Sequence, residues 1–293
     1  MNYEKWIKLN TKDLLGKTAV ITGSTGGLGN EISKTLAMLN CNLILLNRNI
    51  QKSEKQKIKL LTINPKISIE IIELDLCDFT QVKNVTNVLK EKQFDYFIHN
   101  AGIYNVPIYE TETGYNNVFQ TNFISPYFIT KELMSNIISN NAKVIVVSSI
   151  AHNYSKLNEK DIDFSNSKKH SKIYGNSKRF LTFSMFELLK NHPLNLSICH
   201  PGITLTNMTN HYPKFINWFV KFGIKILFPN TKQASLNIIK SLFEHCNYFE
   251  WMTPKIFNVW GLPIKKKVKT VTTVESEKIY NIAESIYKKL RTE

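Results

Sequence analysis

The sequence predicts an α/β protein made of a single domain, a doubly wound parallel sheet with helices on both faces. Three observations predict it: six short apolar runs, longer helical patterns between them, and no linker, repeat or low-complexity tract anywhere in the 293 residues. Continuous Val/Ile/Leu runs suit strands buried on both faces, and their alternation with helices implies right-handed crossovers. "TAVIT" (18–22) is the first strand, followed by an apolar-periodic helix through Leu39. "NLILL" (42–46) precedes a Lys-rich helix near 50–64. "ISIEIIEL" (67–74), "FDYFIH" (94–99), "KVIVVSS" (143–149) and "NLSICH" (195–200) continue the series, with helices near 78–91, 112–139 and 171–191.

Composition narrows the partners. With 43% hydrophobic and 21% charged residues, the chain is ample for a sizeable core. The formal charge of +15 attracts polyanions, phosphorylated small molecules and anionic membrane surfaces. The basic residues are scattered, however, and the only dense run is Lys265-Lys266-Lys267 with Lys269. Without interleaved basic and aromatic residues, nucleic-acid binding is not expected. Cys41, Cys77, Cys199 and Cys246 are widely spaced, which suits reduced thiols in a cytoplasmic protein. The seven histidines lack ligand spacing, so no metal site is expected. The N-terminal stretch is polar, and no run reaches the roughly 18 apolar residues that span a bilayer.

Directly after the first strand comes "TGSTGGLG", Thr22 to Gly29, opening a helix. Gly23, Gly27 and Gly29 remove Cβ atoms where a turn must be tight, a backbone must approach a pyrophosphate and a helix must pack close. Further along, "YGNSK" places Tyr174 and Lys178 four apart on a helix, on one face. A cation that close favours the phenolate and pulls the phenol below its usual value of about 10.

At these residues the sequence resembles the short-chain dehydrogenases/reductases. The loop follows their T-G-x-x-x-G-x-G pattern, and "HNAG" (99–102) matches their N-N-A-G with His99 in place of the first Asn, a substitution read as packing. Asn122 in "QTNFISP", Ser149 in "VIVVSS", Tyr174, Lys178 and "HPGITLT" (200–206) follow in the family's order. The resemblance covers about residues 15–210. It implies a Rossmann domain in which that portion binds cofactor and performs catalysis, while about 211–293 supply a substrate lid and C-terminal helices. The long insert after "SSIAHNYSKLN" is most similar to the retinol-dehydrogenase-like branch.

The resemblance also implies roles. Gly23, Ser24, Thr25, Gly27, Leu28 and Gly29 would meet the phosphates, and Asp75 with Leu76 the adenine. Asn100, Ala101, Gly102, Pro201, Gly202 and Thr204 would line the rest of the cofactor, with Tyr174 and Lys178 at the nicotinamide ribose. Ser149 would orient the substrate oxygen, and Asn122 would shape its helix and hold a relay water. Ser148 is the rival of Ser149, but adjacent strand residues face opposite sides, so only one faces the substrate. After the second strand stands Asn47, where an NAD-preferring site places an acid, and Arg48 follows. A guanidinium there can pair with a 2′-phosphate, so NADP(H) is expected over NAD(H).

The expected activity is NADP(H)-dependent interconversion of an apolar ketone or aldehyde and its alcohol, with Tyr174 as acid or base. The alternatives are a non-catalytic dinucleotide-binding sensor or scaffold, opposed by the intact Asn122, Ser149, Tyr174 and Lys178, and a membrane-surface-associated member acting on lipid-like substrates. "YPKFINWFVKFGIKILFPN" (212–230) has three readings: a substrate lid, a contact with a membrane surface, or a helix that is buried or packs in a homo-oligomer such as a dimer. In the last stretch, Thr272 and Glu275 are spaced as a capping box, ahead of an apolar stripe of Ile279, Ile282, Ile286 and Leu290.

Overall fold

The computed structural model describes residues 2–202 and 229–292. Eight strands form one sheet in the order β3-β2-β1-β4-β5-β6-β7-β8. They are β1 (Thr18–Thr22), β2 (Asn42–Asn47), β3 (Ile69–Glu73), β4 (Tyr96–His99), β5 (Lys143–Val147), β6 (Asn195–Cys199), β7 (Glu250–Ile256) and β8 (Trp260–Lys267). All neighbouring pairs through β7 are parallel, and β8 alone runs antiparallel. The first six strands fall where the apolar runs predict them.

Strands β7 and β8 lie outside the strand pattern read from the sequence. Each carries a proline, and β8 ends in three lysines, so neither reads as an apolar run. Pro254 stands opposite Pro263, beyond the short stretch where β7 pairs with β6. Proline and lysine are tolerated on an edge strand, where they also discourage pairing with another chain.

Side-chain alternation along the strands divides the core in two. Val20, Phe97, Val144, Val146 and Ile198 pack on one face, beneath the helices α4 (Phe79–Lys90), α6 (Ser125–Glu132), α8 (His170–Asn191) and α10 (Thr273–Thr292). Ala19, Ile21, Ile98, Ile145 and Cys199 pack on the other, beneath α1 (Tyr3–Asn10), α2 (Gly27–Met38), α3 (Ile50–Ile63) and α9 (Thr231–Phe243). The predicted 112–139 helix is broken: α5 (Asn117–Phe119) passes through a π-turn at Gln120–Ile124 into α6, and α7 (Met134–Ser139) follows separately. Helix α1, absent from the sequence reading, buries Trp6 and Ile7.

The capping box at α10 is half formed. Thr272 Oγ1 accepts from the Glu275 N–H at 3.2 Å, while the Glu275 carboxylate turns to Arg179 instead. Ile279, Ile286 and Leu290 are buried with Ala283, and Ile282 is only partly covered, so the stripe packs on the domain itself. Stretch 212–230 lies outside the described residues except at its last two positions. No described helix is long and apolar enough to cross a membrane.

Candidate active site

Because the strands through β7 are parallel, their C-terminal ends share one edge, and the order reverses between β1 and β4. A crevice opens at such a switch point. Here it is a cleft of about 580 Å³ running from the glycine loop and Arg48 to Ser149, Tyr174 and Gly202.

The glycine loop is built for close approach. Gly23 has φ +66, and a Cβ there would come within 3.0 Å of Ala101. A Cβ at Gly29 would lie 2.3 Å from the Gly23 carbonyl and 2.8 Å from Asn100 Nδ2, a space no side chain can enter. Asn100 Nδ2 donates to the carbonyls of Thr22 and Gly23 at 3.1 and 3.0 Å, fastening the β4 end to the loop. The cradle therefore fits a bound pyrophosphate, with the start of α2 offering free N–H groups. Ser24, expected among the residues that meet the phosphates, turns its side chain inward. Its hydroxyl donates inward to Gln56 at 2.7 Å and accepts from Asn47 at 2.8 Å, which leaves only its backbone for a ligand.

Asn47, the position where an acid would discriminate, is buried and also accepts from the Thr25 N–H at 3.4 Å. It acts as a strut of the loop. Arg48 instead faces the cleft mouth, its side chain 74% exposed, with a loose 3.5 Å contact to Asp75. Lys52, in the first turn of α3, lines the same mouth. The sequence reading missed it, although the Asn49 cap three residues earlier carries the positional signal. Asp75 accepts from the Cys77 N–H, and the Leu76 carbonyl accepts from Ser125, so α6 pins the Asp75-Leu76 turn at the cleft wall.

At the other end, Asn122 sits in the π-turn, fully buried. Its amide accepts from the Ile103 N–H at 2.8 Å and donates to the Ile103 carbonyl and Ser177 Oγ, both at 3.0 Å. Ser148 and Ser149, just past the end of β5, have different partners. The Ser148 hydroxyl is buried against Thr182, whereas the Ser149 hydroxyl accepts from the Ala151 N–H and acts to lower the Tyr174 phenol. Lys178 donates to the Val147 carbonyl at 3.0 Å.

Burial dominates the electrostatics of this end. It pushes the Tyr174 phenol up to about 12, with the Ser149 hydrogen bond opposing and the Tyr104 and Tyr154 phenols adding to the rise. Tyr174 is only partly buried and lines the cleft. The same burial lowers the Lys178 amine to about 8. Burial therefore moves the phenol in the direction opposite to the lowering expected from Lys178, whose amine gives its hydrogen bond to the backbone.

His99, buried on Thr130 and kept neutral by desolvation, is a packing residue. Tyr104 stacks edge-on against Tyr174 at 5.1 Å, and with Tyr154 and Ile150 it makes an apolar wall that the sequence reading did not assign. Pro201 and Gly202 line the cleft, and Thr204 lies outside the described residues.

The fold and cleft define the doubly wound class of dinucleotide-binding domains. Residues 17–216 match the family model described as short chain dehydrogenase, and the chain belongs to that family of nicotinamide-dependent oxidoreductases. It is 28% identical over 235 residues to an uncharacterized oxidoreductase of Schizosaccharomyces pombe, covering 73% of this chain and 68% of the relative. It is 26% identical to polyprenol dehydrogenase of Homo sapiens (72% and 66% covered) and 27% to retinol dehydrogenase 13 of Mus musculus (67% and 61%). The chain thus spans about two thirds of the length of these relatives. Among solved structures, an uncharacterized protein from Mycobacterium paratuberculosis superposes with a TM-score of 0.72 at 21% identity, covering 96% of both chains. A short-chain dehydrogenase from Sphingobium yanoikuyae in complex with NADPH superposes at 0.58 and 18% identity (76% and 83% covered). One from Burkholderia phymatum in complex with NAD superposes at 0.61 and 16% identity (81% and 89%). These likenesses give the fold.

Proposed function

We propose that the protein is an NADP(H)-dependent oxidoreductase interconverting an apolar ketone or aldehyde and its alcohol. The observation that carries the reading is the convergence of Ser149, Tyr174 and Lys178 on one end of the cleft whose other end is the glycine cradle. When bound, the nicotinamide coenzyme supplies or accepts the hydride and, oxidised, carries a positive ring charge. The chain's own residues handle orientation and the proton. Ser149 holds the substrate oxygen by a hydrogen bond, and the Tyr174 hydroxyl gives that oxygen its proton during reduction. In the reverse direction the phenolate takes the proton from the alcohol. Lys178, with an amine near 8, can exchange protons around neutral pH and steadies the phenolate. Asn122 spends its side chain on Ile103 and Ser177, so its backbone carbonyl in the π-turn is the group left to hold a relay water.

NADP(H) preference is supported by Arg48 and Lys52 at the cleft mouth and by the inward turn of Asn47. An apolar substrate is supported by the Tyr104, Tyr154 and Ile150 wall, and by relatives named for retinol and polyprenol, both apolar alcohols. The test is a panel of aldehydes, ketones and alcohols with NADPH or NADP⁺, using Tyr174→Phe as control. A variant as fast as wild type on the best substrate would remove Tyr174 from the mechanism. A wild type that binds NADPH yet turns over nothing would favour the sensor reading.

A further inference from the structure

Immediately after Ser149 the chain makes a short 3-10 turn, Ile150–Asn153, and His152 in that turn is 1% exposed. Its backbone N–H and its ring Nδ1 both reach the Ser149 carbonyl, at 3.2 and 2.7 Å. A carbonyl can only accept, so Nδ1 carries the proton. The other ring nitrogen, Nε2, then accepts from the Thr270 hydroxyl at 2.9 Å. The tautomer is set by the two partners, and burial keeps the ring neutral, lowering it to about 4. The His152 carbonyl accepts from Arg179 at 3.0 Å, and Arg179 pairs with Glu275 at the start of α10. The ring edge packs against Phe183 and Trp251. The C-terminal segment therefore reaches the catalytic loop twice, through Thr270 to the ring and through Glu275 and Arg179 to the backbone. Both contacts lie beyond the residues matched by the family model, which end at 216.

We propose that His152 is a positioning residue for Ser149, braced by Thr270 and by the Glu275–Arg179 pair; this rests on the reductase reading above. With its carbonyl gripped twice, the Ser149 peptide plane cannot turn, and the hydroxyl stays aligned with the Tyr174 phenol. Loss of the ring leaves that carbonyl one 3.2 Å bond and frees the serine to drift. Small misplacements of an orienting group lower the rate of the chemical step without changing how coenzyme binds.

The test is a double-mutant cycle in the full-length protein, with NADPH and 4-nitrobenzaldehyde as the first probe substrate. His152→Ala lowers kcat by about 30-fold, with the NADPH dissociation constant held within about twofold. His152→Asn, whose amide N–H can replace Nδ1–H, recovers most of the loss. In a Ser149→Ala background, His152→Ala costs nothing further, because the two changes remove one interaction. Equal losses in both backgrounds, or an Asn variant no better than Ala, overturn the proposal.

A second arm needs no turnover. Selective ¹⁵N-histidine NMR should find His152 as the neutral Nδ1–H tautomer, with its ring signals displaced by Thr270→Val. Exchange of the Ala151 amide, which donates to Ser149 Oγ, should quicken in His152→Ala while β5 amides hold. A wild type without activity defeats the reductase reading alone, and amide exchange then decides the brace. Should His152→Ala fail to fold, His152→Asn and Thr270→Val carry both arms.

Discussion

The amine of Lys178 lies over the ring of Tyr174, 5.9 Å from its centre, and gives its hydrogen bond to the Val147 carbonyl. Desolvation therefore favours the neutral form of both members, the phenol held up and the amine held down. A phenol held in its protonated form is a ready proton donor to a carbonyl oxygen, provided that the resulting phenolate is stabilised. Ser149 and a positive charge beside the ring are the available means.

Tyr174→Phe keeps the ring and its edge contact with Tyr104 but removes the transferable proton. Turnover should fall by about 10²- to 10⁴-fold, the usual contribution of a positioned acid or base. NADPH affinity, read by fluorescence titration, should be nearly unchanged. A comparable fall in affinity would mean that the phenol serves binding instead.

Lys178→Met should abolish activity and yet raise the melting temperature at pH 7. The amine's folded value near 8 lies below its usual 10.5. Between those values the unfolded chain binds more protons, so stability rises with pH through that window, and the burial penalty is fully present below pH 8. Lys143 is lowered in the same way, by burial, and contributes equally to wild type and variant. The buried thiols Cys41, Cys199 and Cys246, held up by desolvation, oppose that rise at alkaline pH but do so equally in both proteins. Thermal scans from pH 7 to 10 should therefore show the variant's advantage over wild type shrinking. An identical slope would show that Lys178 is not desolvated as described.

Arg48→Asp should weaken NADPH far more than NADH. A lost charge-assisted hydrogen bond of about 1.5–3 kcal/mol corresponds to roughly 10- to 150-fold in KM for NADPH. Because Arg48 is exposed, the wild-type preference should also shrink with added salt. Lys52→Ala should act in the same direction but less strongly. Equal losses with both coenzymes would end the assignment.

Gly29→Ala forces a methyl against the Gly23 carbonyl, backbone that cannot rotate away. We expect a stability loss of about 1–3 kcal/mol, typical of overpacking, together with collapse of dinucleotide affinity. Gly16→Ala is the contrast: space is open there, and only the φ of +77 opposes it. That variant should lose some stability while binding NADPH normally.

What could be read early was local in character. Strands β1 to β6 announced themselves because a strand buried on both faces must be continuously apolar. The glycine loop did so because a missing Cβ is visible in any sequence. Alternation left one of Ser148 and Ser149 for the cleft and the family pattern favoured Ser149; in the structure the two hydroxyls have different partners, Thr182 for Ser148 and the Ala151 N–H for Ser149. Strands β7 and β8 were hidden because prolines and lysines at a sheet edge mimic a loop.

The amino-acid order alone determined the family, the parallel sheet and the group of side chains at its carboxyl edge, since each depends on spacing within one or two adjacent elements. Tertiary structure alone decided that Asn47 supports the loop, that burial raises the Tyr174 phenol, and that Thr270 and Glu275 reach back to the serine turn. Those outcomes depend on desolvation and on contacts between residues as far apart as 118 positions, and neither quantity is carried by the chain until it is packed.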